Sequence, residues 1–135
     1  MKHIIFFAVC LATFTAYSQE VATSQVSGPV ITWKESSYDF GDIRQGEKVE
    51  HTFVFTNTGN EPLIITNVQV TCGCTTPKGF PRDPIAPGET GEITVAFNSA
   101  GRVGKHHKVV TVVSNSVGKT NQISFTTNIL KPENP

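Results

Sequence analysis

Between Val49 and Thr76 the chain reads VEHTFVFTNTGNEPLIITNVQVTCGCTT: two apolar runs, a turn between them, and two cysteines one residue apart at the end. Residues Val49 to Phe55 and Leu63 to Val70 are rich in Val, Ile, Phe and Thr, which suit a pleated, half-buried surface, and Asn57-Thr58-Gly59-Asn60 is turn chemistry. The first run alternates. Val49, His51, Phe53 and Phe55 fall on one face and Glu50, Thr52, Val54 and Thr56 on the other, so the first is the core face. His51 in that register is expected as a half-buried imidazole near the strand end rather than a ligand. Pro62 opens the second run, where a missing N–H costs least. In that run Ile64, Thr66, Val68, Val70 and Cys72 share one parity, and Leu63 and Ile65 the other.

The rest of the chain is also strand and turn. Val30 to Lys34 is a short strand, and Tyr38 and Phe40 share one face of the extended stretch Ser36 to Ile43. Asp39 and Asp42 flank Phe40-Gly41, where carboxylates beside a glycine stabilise a turn. Prolines 77, 81, 84 and 87 make the next segment a connecting excursion, with at most one short strand around Pro84 to Ala86. Phe80 within it is expected as a lid over the core, with an interaction surface as the other role for an aromatic on a loop. Ile93, Val95 and Phe97 mark another half-buried strand. Lys105 to Asn115, KHHKVVTVVSN, is apolar on both faces beyond Lys108 and suits a central strand, and Ile123, Phe125, Thr127 and Ile129 build the last. About seven strands without helical periodicity predict an all-β fold, a β-sandwich.

A chain of 135 residues is one domain's worth. Its start has Lys2 and His3 before an apolar run from Ile4 to Phe14, then the small residues Ala16 and Ser18; residues 1–18 therefore read as a secretory signal peptide, with the mature chain starting at Gln19. A lipoprotein cut before Cys10 is disfavoured by the branched Val9 and by the scant apolar segment it would leave. Residues 19–29 are a flexible lead-in, 30–131 the domain and 132–135 a tail. No later stretch approaches the roughly 20 apolar residues of a membrane helix. Removing Lys2 leaves ten basic residues against eleven acidic ones, a balance that gives no electrostatic reason for a nucleic-acid partner. The expected location is extracytoplasmic, periplasmic or secreted, an oxidising setting in which the two remaining cysteines can pair.

SYDFGDIRQGEKVEHTFVFTNTGNEPLIITNVQVTCGCTTP, followed by PIAPGETGEITVAFNSAGRVGKHHKVVTVVSN, resembles an uncharacterised family of exported bacterial domains, domain of unknown function 1573. That family is similar to immunoglobulin-like domains of the ASH and major-sperm-protein type. The resemblance covers residues 30 to 130 or so and implies a seven-stranded immunoglobulin-like β-sandwich in which the NTGNEP turn crosses between sheets. It brings no assigned activity, and similar sandwiches act as scaffolding or docking modules, an analogy of fold.

Cys72-Gly73-Cys74 is the most distinctive local feature. Period two puts both thiols on one side of an extended chain, near the upper separation a disulfide permits, and the intervening glycine lets the backbone kink to close the gap. The alternatives are buried free thiols, an exchanging redox disulfide, or a soft-metal site for copper or zinc. Two ligands are too few for a closed site, and of His106 and His107, which point to opposite faces, only one could join Cys72 and Cys74. The basic cluster Lys105 to Lys108 could meet an anionic group, although it also fits a solvated strand end. No G-x-S-x-G, H-E-x-x-H or phosphate-cradling glycine loop occurs. The leading expectation is a non-enzymatic, cofactor-free module docking another cell-envelope protein, whose sandwich edges can accept a partner strand. The alternative is a metal-binding or thiol-redox protein centred on Cys72 and Cys74.

Overall fold

The computed structural model describes residues 27–118 and 121–133. The signal peptide, Cys10, the lead-in up to residue 26 and the last two residues of the tail lie outside the described residues. Eight strands form two four-stranded sheets: β1 (Ile31–Trp33), β2 (Ser37–Arg44), β3 (Lys48–Asn57), β4 (Ile65–Val70), β5 (Thr75–Gly79), β6 (Thr90–Asn98), β7 (Gly104–Ser114) and β8 (Gln122–Leu130). The first sheet has the order β1-β3-β6-β5 and the second β2-β8-β7-β4. All pairings are antiparallel except β2 with β8.

The alternation read from the sequence produces the core. Phe53, Phe55, Ile93, Val95 and Phe97 of the first sheet face Val110, Val112, Ile123, Phe125 and Ile129 of the second, each at most 2% exposed. The rings of Phe97 and Phe125 meet edge to face across the layer, 5.4 Å between centroids. As expected, β7 is an inner strand of its sheet, between β8 and β4.

Two expectations are corrected. The proline-rich excursion begins with a strand, β5, which raises the count to eight; Pro77 is tolerated because β5 is an edge and one side of its backbone needs no partner. Around Pro84 to Ala86, in keeping with the expectation of at most one short strand, there is a two-residue bridge, Leu63 with Ile85, closed by N–H···O bonds of 2.9 and 2.8 Å. In β4 the parity breaks, because the register shifts between Ile65 and Asn67. Leu63, Ile65 and Val68 are therefore buried together, while Ile64 is 41% exposed.

The passage from β3 to β4 crosses from one sheet to the other, as the resemblance implied. Asn57 organises it. Its fully buried side chain accepts from the N–H of Val30 (3.3 Å) and Gly59 (3.0 Å) and donates to the carbonyls of Glu61 (2.8 Å) and Ile85 (2.9 Å). All four polar valences of the amide are used, which repays its burial. Gly59 completes the knot by lying directly on the backbone of Gly28, Pro29 and Val30.

The sheet edges differ from the open borders expected. β1 has three residues. The register of β2 shifts between Asp39 and Asp42, with Gly41 at φ 68°. β4 shifts after Ile65, and β5 carries Pro77 and shifts before Gly79. Among the described residues the longest regular run on any edge is Asn67 to Val70, four residues, so none of these edges offers a partner strand a long flat ladder.

Candidate functional site

β4 ends in the second sheet and β5 starts in the first, so Thr71 to Cys74 is the crossing between the sheets at one end of the sandwich. Thr75 N–H closes the turn on Cys72 O at 3.2 Å, and Asn98 N–H fixes Cys74 O at 2.9 Å. The Cα atoms of Cys72 and Cys74 are 5.3 Å apart and their sulfurs are in disulfide contact. Burial is unequal: Cys74 is 7% exposed and belongs to the core, whereas Cys72 is half-buried. The N–H of Cys74 points at Cys72 Sγ, 3.3 Å away, and the Thr75 hydroxyl lies 3.9 Å from each sulfur.

The two histidines named as further ligands are separated. His106 takes the inward register of β7, its ring near Phe97 and its Nε2 3.1 Å from Val103 O. His107 pairs with Thr126 on the outward register. Among the described residues no three His, Cys, Asp or Glu side chains come together as a metal would require.

The same alternation divides the basic cluster. Lys105 and His107 stand on the outer face of the second sheet with Asn128 and Thr126 beside them, whereas Lys108 shares the inward register of Val110. Lys105 and Lys108 therefore do not form one patch. What the outer face assembles instead is a groove of about 490 Å³. Asp39 and Asp42 of β2 form one bank, Lys105 and His107 of β7 the other, and Thr126 and Asn128 of β8 the floor. Asp42 accepts from Asn128 Nδ2 at 2.8 Å, Asp39 accepts from Gly41 N–H at 2.9 Å, and Thr127 Oγ1 donates to Gly41 O at 3.0 Å. The turn-stabilising role expected of Asp39 is thus observed, but the acid–base division of this face was invisible until β2 was placed beside β8.

Two other features are structural. His51 stacks on Tyr38 (3.6 Å between centroids), meets Phe53 edge-on, and places Nε2 2.6 Å from Glu35 Oε1, a packed imidazole as expected. Phe80 packs against the core from its loop, with the guanidinium of Arg82 4.1 Å over its ring. It lies beside Lys78, Glu92 and Thr94 of the other sheet, apart from Lys105.

The profile of a family described as protein of unknown function (DUF1573) matches residues 31–129. The chain belongs to the DUF1573 family. A comparison with curated proteins gives no match. Among solved structures, this DUF1573 domain is similar to a protein of unknown function from Porphyromonas gingivalis W83, with 17% identity, TM-score 0.64, and 82% of this chain and 51% of that one covered. It is also similar to the VesB protease of Vibrio cholerae (15%, TM-score 0.58, 73% and 31% covered) and to the ASH/PapD-like domain 7 of human CEP192 (12%, TM-score 0.57, 76% and 87% covered). The chain spans about half the length of the first and about a third of the second. At these identities the likeness is one of fold, an immunoglobulin-like β-sandwich.

Proposed function

We propose that this DUF1573 domain is a non-enzymatic extracytoplasmic module that docks another cell-envelope protein through the outer face of its second sheet. The observation that carries the reading is the divided groove, with the carboxylates of Asp39 and Asp42 on one bank and the ammonium of Lys105 beside the imidazole of His107 on the other. A partner segment carrying a cation and an anion at matching separation is drawn in and oriented by such a surface, and a segment of reversed polarity is repelled. Because the edges are short, bulged or proline-bearing, contact through side chains of a face fits this sandwich better than strand addition. The signal-peptide pattern of residues 1–18 supports an envelope setting, and among the described residues no helix is long and apolar enough to cross a membrane.

Site-specific photo-crosslinking in cells tests this. A photoreactive side chain at His107 should give one discrete adduct with an envelope protein, and the same group at Glu92, on the opposite sheet, should give none. Charge reversal by Lys105→Glu together with Asp42→Lys should abolish the adduct. Equal adducts from both faces, or none from His107, would refute docking through this groove.

A further inference from the structure

We propose that Cys72-Gly73-Cys74 is a thiol–disulfide exchange site, in which Cys72 forms the mixed disulfide with a protein thiol and Cys74 is the resolving sulfur. This goes beyond the docking reading and does not depend on it. Four observations converge. Cys72 is the more exposed of the two, half-buried against the edge of the core, whereas Cys74, 7% exposed, lies within it. The N–H of Cys74 lies 3.3 Å from Cys72 Sγ, placed to stabilise negative charge on that sulfur when the bridge is open. Beyond its chain neighbours a Cβ built on Gly73 would meet nothing within 4 Å, so the turn that carries the bridge is uncovered at Gly73. Finally, Val70 pairs with Val110 and Thr75 with Phe97, so the turn is anchored to both sheets by backbone pairing that does not involve the sulfurs. Two sulfurs held in this way reclose rapidly, because the encounter is already paid for by the fold.

A partner thiol attacks Sγ of Cys72 as its thiolate; the Cys72–Cys74 bond breaks, its electron pair goes to Cys74, and the proton of the incoming thiol ends there. A second partner thiol, as its thiolate, attacks the partner sulfur of the mixed disulfide; the electron pair leaves on Cys72 Sγ, facing the Cys74 N–H, and the proton of that thiol ends on Cys72. The two partner thiols are oxidised to one disulfide and the bridge is reduced to two thiols. In the opposite direction Cys72 attacks a partner disulfide, and Cys74 displaces the partner from it.

The test uses the purified full chain with glutathione as the probe. Oxidised glutathione should add to Cys72 of a Cys74→Ser variant on the order of ten-fold faster than to Cys74 of a Cys72→Ser variant, read by intact mass. On the unmodified chain, stepwise reduction followed by alkylation and peptide mapping should label Cys72 before Cys74, so the order of reactivity is read even where a variant folds poorly. Equal rates in the two variants, Cys74 labelled first, or a bridge that opens only where the circular dichroism of the fold is lost would overturn the proposal.

Discussion

Asn57 Nδ2 lies 2.9 Å from the carbonyl oxygen of Ile85, inside the protein, so the end of one strand is bonded to a loop 28 residues further on. With the bonds to Glu61, Val30 and Gly59, this makes one amide the junction of the amino-terminal strand, the inter-sheet crossing and the Ile85 bridge. Replacing Asn57 with Ala leaves the N–H groups of Val30 and Gly59 and the carbonyl of Glu61 without partners, while the Ile85 carbonyl keeps only its bond from Leu63 N–H. The expected loss is about 3 kcal/mol, seen as a lower urea midpoint at unchanged slope.

Gly59 and Gly73 should respond oppositely to the same change. At Gly59 a Cβ would lie 2.6 Å from Val30 N and 2.8 Å from Pro29 Cα, with Gly28 O closer still, and backbone cannot step aside as a side chain can. Gly59→Ala should destabilise by about 2 kcal/mol or more, and Gly73→Ala, in open space, by no more than about 0.5 kcal/mol. Thermal melts of both variants decide it.

Reduction of Cys72–Cys74 should leave the sandwich folded. In chain-entropy terms so short a loop contributes about 1.5 kcal/mol, against about 3 kcal/mol for a fifteen-residue loop. The melting temperature should fall by roughly 10 °C at most in dithiothreitol, with the cooperative transition retained. A collapse of the melt on reduction would show that the turn, rather than the apolar layer, carries the stability.

Export should yield a chain beginning at Gln19, since Ala16 and Ser18 present the small side chains a signal peptidase accepts. Intact-mass measurement of the protein from its native envelope checks this. A chain beginning at a lipidated Cys10 would instead tie the domain to a membrane surface.

Much of the fold was legible because burial has the period of the backbone. Phe53, Phe55, Ile93, Val95 and Phe97 announce their inward faces by alternation alone. Three features were not legible. The bulge after Ile65 has no local marker, so the parity of β4 read straight through it. Pro77 argued against a strand, and whether a strand lies on an edge is a fact of tertiary structure. Asn57 looked like any turn-forming residue, since a side chain's four partners are known only when three distant segments meet. The site divides in the same way: the cysteine pair was visible as a motif, whereas the groove depends on the parallel pairing that puts Asp39 and Asp42 on the far side of β8 from Lys105 and His107.

The interrupted borders of the two sheets also bear on how this domain tolerates company. Crowded copies, or neighbouring sandwiches in one polypeptide, share the hazard that exposed ladders fuse side by side into filaments. With four regular residues as the longest invitation on any border among the described residues, that route of misassembly is disfavoured here. Broken borders of this kind favour copies that stay separate even when crowded.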